Sequence, residues 1–297
     1  MRFVLRHCSL LLLASLAASC RSDRPAADAA PPDTKAADAS ASPAAAPASP
    51  QLIHVTATDF KLDLPSKITA GAVTMHLMNE GKEMHQAMIA RLEDGKTLAD
   101  FAQAMKSNGP LPAWVKFVGG PNGVVPGATA TATTVLTPGN YVAICVIPGT
   151  DGVPHAAKGM VTAFEVTPAA GAEAALPTAT DTVQMKDYGY VSVRPMTVGT
   201  HTILVQNSGS QEHELVLLKL EPGKKIKDFG DWATTGGMKG PPPALPIGGV
   251  GGLQPGGSAV ITADLAAGDY GFMCFVPDAK DGKPHLMHGM MQQFAIK

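Results

Sequence analysis

The chain is short of cysteine, of charge and of long apolar runs, and each shortage narrows what it is. Of 297 residues only 16 % are charged, and 23 basic against 25 acidic side chains leave a formal charge of −2. No basic stripe is present for a nucleic acid to follow, so nucleic acid is excluded as a partner. Few charges beside 31 glycines and 25 prolines suit short strands joined by turns better than long surface helices. Only four cysteines occur, Cys8, Cys20, Cys145 and Cys274. The first two fall in a targeting segment, and the two that remain exclude a disulfide-stapled scaffold. A lone cysteine in each half of an exported protein needs a reason, because free thiols oxidise there. The leading apolar run, Leu10–Ala18, is shorter than the roughly 20 residues of a membrane-spanning helix.

What is present at the front end is a leader. Residues 1–19 read as a signal peptide, with Arg2 and Arg6 ahead of the apolar run. Ala17-Ala18-Ser19-Cys20 resembles a bacterial lipobox, although Leu16 sits one place early. Cys20 is therefore the expected lipidation site and acyl chains the expected membrane anchor; ordinary cleavage after Ala18 or Ser19 is the alternative. The expected location is the cell envelope, on the periplasmic face or the outer membrane. Residues 20–50 carry the anchor and a linker. Ala and Pro fill 18 of the 30 positions Arg21–Pro50, with no aromatic. Such a segment cannot bury a core and is expected to be a disordered tether spanning roughly 30 Å.

The remainder repeats itself at an offset of 128 to 130 residues. Asp59-Phe60 corresponds to Asp187-Tyr188, Asn79-Glu80-Gly81 to Asn207-Ser208-Gly209, Gly119-Gly120 to Gly248-Gly249, and Tyr141 to Tyr270. The repeat defines two domains, 51–168 and 178–297, each large enough to fold alone. Val73–Leu77 and Val191–Val193 alternate, while Tyr141–Ile147 and Asp269–Val276 are near-continuous apolar runs, as buried strands are. Thr97–Lys106 and Lys225–Ala233 read as short helices. Many short strands with regular turns predict an all-β chain with one β-sandwich or small barrel per copy.

Four metal-competent positions recur in register: His85, Cys145, His155 and Met160, then His213, Cys274, His285 and Met290. The patterns are Cys-x9-His-x4-Met and Cys-x10-His-x4-Met. Two imidazoles, a thiolate and a thioether form a soft set that suits copper, with Met as the weak axial ligand. His54, His76, His201 and His288 align with Thr182, Leu204, Val73 and Lys158 and do not recur. Plainer readings compete. His85 and His213 could be turn histidines bonded to backbone, and the methionines core packing. The cysteines could be inert buried thiols or pair with each other, and His288 could replace His285.

On these residues the chain resembles the cupredoxin, or blue copper, family. The first histidine follows an Asn-x-Gly turn in both copies, and the other three positions lie on one loop that ends in Gly159-Met160 or Gly289-Met290. The resemblance covers residues 51–297. It implies two tandem Greek-key β-sandwiches and a one-electron Cu(II)/Cu(I) site in each, two coppers per chain. Two departures stand out. The Cys-to-His loops are longer than in most small blue copper proteins. Gln86 and Glu214 also follow the first histidine where the family usually has Asn.

Three functions follow from the resemblance. Electron transfer with redox protein partners is the first. Copper storage or delivery with copper-handling partners is the second. The third is a multicopper oxidase or nitrite reductase-like enzyme, and the expectation is that the chain is not an enzyme. The extra coppers of such enzymes need histidines beside the cysteine and His-x-His pairs; Ile144 and Val146 flank Cys145, Met273 and Phe275 flank Cys274, and no His-x-His occurs. His155 and His285, on loops rich in Gly, Pro and Asp, are the ligands expected to be exposed and displaced by acid.

Overall fold

The structure, a computed structural model, describes residues 48–93, 95–107 and 111–297. The signal peptide, Cys20 and most of the tether lie outside these residues. The first copy contributes strands β1 (Gln51–Thr58), β2 (Lys61–Asp63), β3 (Lys67–Thr69), β4 (Gly71–Asn79) and β5 (Met88–Leu92). Helix α1 (Leu98–Ala104) follows, then β6 (Val115–Phe117), β7 (Thr129–Leu136), β8 (Gly139–Ile144) and β9 (Val161–Thr167). The second copy contributes β10 (Asp181–Lys186), β11 (Gly189–Ser192), β12 (Gly199–Asn207) and β13 (His213–Leu220). After these come α2 (Ile226–Ala233), β14 (Ala244–Leu253), β15 (Ser258–Leu265), β16 (Gly268–Met273) and β17 (Met291–Ile296). No helix among the described residues is long and apolar enough to cross a membrane.

Residue alternation explains the layers. In β4, Val73, Met75 and Leu77 are fully buried while Thr74, His76 and Met78 are half-buried, so one face meets the core. The apolar runs at β8 and β16 are buried on both faces. Tyr141 and Ala143 point into the core between the sheets, and Val142 and Ile144 pack with Phe101 of α1. Tyr270 and Phe272 do the same in the second copy, with Met273 turned towards Phe229 of α2. Each helix therefore caps the outer face of a small sheet. The helices begin at the expected positions; at α1 the Thr97 hydroxyl accepts from the Asp100 amide at 3.3 Å and the Asp100 carboxylate accepts from the Thr97 amide at 2.9 Å.

The small sheets run β3-β9-β8-β5-β6 and β14-β13-β16-β17, one per copy. The large one is shared: eight strands in the order β11-β10-β12-β15-β7-β4-β1-β2 cross from the second copy into the first. The joint is made by equivalent strands. β7 and β15 pair antiparallel with Ala132 opposite Ile261, its own counterpart at an offset of 129. Pro121 likewise bridges its counterpart Val250, flanked by Val118–Leu253 and Val124–Ile247 bridges. This is the isologous pattern of a twofold dimer, built within one chain. It needs glycine. Gly120 and Gly249 hold φ of +89° and +113°, and a Cβ there would collide with the carbonyl oxygens of Ala87 and Leu215.

A polar cluster is peculiar to the second copy. Buried Asp181 binds His201 Nδ1 at 2.7 Å, Arg194 Nε at 3.1 Å and the Thr180 hydroxyl at 2.7 Å, and His201 Nε2 donates to the Thr197 carbonyl at 2.7 Å. With acceptors on both nitrogens, the ring is suited to its charged form, and the Asp181 hydrogen bond raises its pKa.

Two outcomes are expected. Gly249→Ala should destabilise the fold by on the order of 3 kcal/mol or more, through strain and collision. Gly127→Ala, at φ +77° with open space around it, should cost only about 1–2 kcal/mol; urea denaturation separates the two. Because the pKa of His201 is raised in the folded state, its contribution is complete below about pH 6.5. It is lost as pH rises through the folded value. The urea midpoint should fall over that range in the wild type and stay flatter in His201→Gln.

Candidate metal centres

The parity of β8 places Cys145, one residue past its end, on the same inner side as Tyr141 and Ala143; Cys274 follows β16 in the same way. The strands stop earlier than the apolar runs suggest. The Cys145 amide turns to the Met160 carbonyl (3.2 Å), and the Ile147 carbonyl accepts from the His155 amide (2.9 Å). The second copy repeats this with Cys274 to Met290 (3.2 Å) and His285 to Val276 (2.9 Å). A short 3₁₀ turn opens at each loop histidine and closes on Gly159 or Gly289 in left-handed conformation, at φ +101° and +94°. That turn delivers Met160 and Met290 back to the core, fully buried in the clusters that contain the cysteines.

In the first copy His85 Nδ1 lies 3.1 Å from His155 Nδ1, which lies 3.5 Å from Cys145 Sγ. In the second, His213 Nδ1 is 3.0 Å from His285 Nδ1, itself 3.5 Å from Cys274 Sγ. Each trio keeps its ligand atoms within 4.8 Å of one another. His85, Cys145, His155, Met160 and their four counterparts are all 0 % exposed. The expectation that His155 and His285 are exposed loop ligands is therefore corrected: the loops fold their histidines inward and leave Thr150, Asp151 and Asp281 outside. Both cysteines are free, and His288 lies outside the trio, 3.1 Å from Asp281.

Electrostatics favour a cation. The Nε2 of His85 faces Asp59 at 3.1 Å and that of His155 faces Glu83 at 2.9 Å. These carboxylates take the ring protons on the Nε2 side, so both Nδ1 atoms present lone pairs to each other. His213 is held the same way by Asp187 at 2.8 Å. His285 departs: its Nε2 has no hydrogen-bond partner, and Asp278, 3.7 Å away, is engaged by the Tyr188 hydroxyl and Gln211. Burial lowers the pKa of His85 and His285 and pushes the Cys145 thiol up to about 11, with Cys274 raised further. Opposed lone pairs beside a buried thiol are satisfied by one soft cation, which also turns the thiol into a thiolate. The donor set fits copper.

Asp59 and Asp187, which touch the trios through His85 and His213, are residues that sequence reasoning passed over, although the recurring Asp-aromatic pair marked them. Their neighbours Phe60 and Tyr188 share φ of +66°, an uncommon conformation for aromatic residues. It sets each ring edge-on to the loop histidine, at 5.3 Å from His155 and 5.6 Å from His285. The Asn-x-Gly turns also have a structural reason. Asn79 Nδ2 donates to the Glu83 and Val124 carbonyls (both 2.9 Å). A Cβ on Gly81 would lie 2.5 Å from His85 Nε2, and on Gly209 2.7 Å from His213 Nε2. After the first histidine the copies diverge. Gln86 donates to the Met88 sulfur, whereas buried Glu214 accepts from the Phe275 amide at 2.9 Å and from Asn122 of the other copy at 3.0 Å. The Glu214 amide donates to Cys274 Sγ at 3.5 Å.

No protein-family model and no curated protein matches the chain. Solved structures do. Auracyanin from Roseiflexus castenholzii is 22 % identical over 41 % of this chain and 100 % of its own, at a TM-score of 0.29. A copper-containing nitrite reductase from Thermus scotoductus is 13 % identical over 83 % of this chain and 61 % of its own, at 0.23. A blue copper oxidase from Nitrosomonas europaea is 13 % identical over 82 % and 85 %, also at 0.23. The fold class is all-β with sandwiched sheets. The expectation that the chain is not an enzyme is corrected: the similar structures include a copper-containing nitrite reductase and a blue copper oxidase, which are enzymes.

Thiol chemistry checks the burial. In the metal-free folded chain, Cys145 and Cys274 should resist an aromatic disulfide reagent at pH 8, because neither is exposed nor ionised there. Both should react at once in denaturant; rapid reaction of either in the folded state would contradict the geometry.

Proposed function

We propose that the chain is a copper-binding electron-transfer protein with one mononuclear, type 1-like centre in each copy. His85, Cys145, His155 and Met160 hold the first, and His213, Cys274, His285 and Met290 the second. The observation that supports this most directly is the twofold recurrence of two opposed Nδ1 atoms beside a thiol in a pocket closed to water. Copper bound there supplies one-electron Cu(II)/Cu(I) chemistry. The residues hold the donor atoms in one arrangement, Asp59 and Asp187 keep the ring protons on Nε2, and the buried loops exclude water. Fixed, dehydrated donors keep reorganisation small, which suits electron transfer more than hand-off of the ion. Export, anchorage through Cys20 to the cell envelope, and redox or copper-handling protein partners belong to the same proposal and rest on the sequence.

Elemental analysis of the copper-loaded protein should find two coppers per chain. Cys145→Ser should remove one thiolate-to-copper absorption band and leave the other, with Cys274→Ser as its mirror. Zinc alone, or no metal after copper loading, would sink the assignment. Loss of both bands in one variant would show that the centres are not separate. A fast electron self-exchange rate is expected; rapid transfer of copper to a chelator without electron exchange would favour storage or delivery.

A further inference from the structure

Six of the histidines in the described residues have a defined partner: four lie in the buried trios, His201 binds Asp181, and His288 binds Asp281. The imidazoles of His54 and His76 make no hydrogen bond or ion pair with any described residue. They face each other instead. They are directly opposed on the parallel pair β1 and β4, on the outer face of the shared sheet, with Ile53, Val55, Met75 and Leu77 turned inward. His54 is exposed and His76 half-buried.

Their ring centroids are 5.5 Å apart at an interplanar angle of 77°. Two imidazole nitrogens each about 2.0 Å from one metal place the ring centres about 4.5 Å apart at a right angle, about 5.2 Å at a tetrahedral angle and about 6.4 Å when opposed. The surface pair falls inside that span. The buried pairs, at 4.8 and 4.7 Å, lie near its closed end. On the same face the neighbours Leu52, Thr56, Thr74, Met78 and Thr131 are uncharged, and the charges that β2 adds, Asp63 opposite Thr56 and Lys61 opposite Thr58, are paired with each other at 3.7 Å. In the second copy Thr182 and Leu204 stand opposite each other in the same register. The pair is thus peculiar to the first copy, and the second serves as an internal control.

The geometry points to a solvent-accessible metal site on the outer face of the shared sheet. There His54 and His76 hold one late divalent transition ion through two imidazoles, with water completing the shell. The affinity order of such ions places Cu(II) ahead of Ni(II) and Zn(II). The site is open where the cysteine centres are closed, has no thiolate, and does not depend on what those centres hold. Full-length protein, first incubated with copper to fill any buried site and then passed over a chelating resin to strip copper from the open surface, is titrated with Ni(II) by calorimetry and by broadening of imidazole proton resonances. One Ni(II) per chain is expected, with broadening confined to two ring signals. That equivalent should be lost in His54→Ala and in His76→Ala and kept in His288→Ala. No binding by the wild type, unchanged binding in His54→Ala and His76→Ala, or loss in His288→Ala would overturn the site. Because the result is a difference between wild type and surface variants, it stands whether or not the buried centres take copper.

Discussion

A neutral imidazole offers a lone pair from one nitrogen while the other carries the ring proton. The arrangement of both buried trios depends on that constraint. Asp59 and Asp187 sit at the Nε2 of the first histidines, and Glu83 does the same for His155. With the protons held outward, the inward nitrogens converge beside a cysteine that burial keeps neutral. Much of the surrounding chain serves this geometry: the aromatic residues at φ +66° that carry the aspartates, the glycines that leave room beside the histidines, and the asparagines that tie down the turn.

The two copies are alike in plan and unlike in detail. The first closes its loop histidine with Glu83, whereas the second leaves His285 Nε2 without a partner beside an Asp278 already engaged elsewhere. The second also replaces Gln86 by Glu214, whose carboxylate reaches Asn122 of the first copy. That hydrogen bond ties the Cys274 loop to the neighbouring copy, since Glu214 also accepts from Phe275. The copies are joined further by pairing of equivalent strands. The repeat by itself does not predict the shared eight-stranded sheet. Period-2 patterning says which face of a strand is buried, but not whether its edge meets a strand of its own copy or of the other.

The all-β class, the repeat, both short helices and the recurring His, Cys, His and Met positions were legible in the amino-acid order, because each rests on local periodicity or on self-comparison at a fixed offset. The Asp-aromatic pair was visible as a repeat, but its purpose was not; the 26 residues separating Asp59 from His85 are closed only when β1 and β4 pair side by side. Loop composition misled: Gly, Pro and Asp around His155 and His285 suggested exposure, while the backbone bonds to Met160 and Met290 fold those rings fully inside. The opposition of His54 and His76 also came from strand register, a tertiary property. The sequence by itself determined which donors exist and that they come in two matched sets. Tertiary structure decided which nitrogens face inward, how the two sets differ, and that they share one sheet, because these depend on distances between residues far apart along the chain.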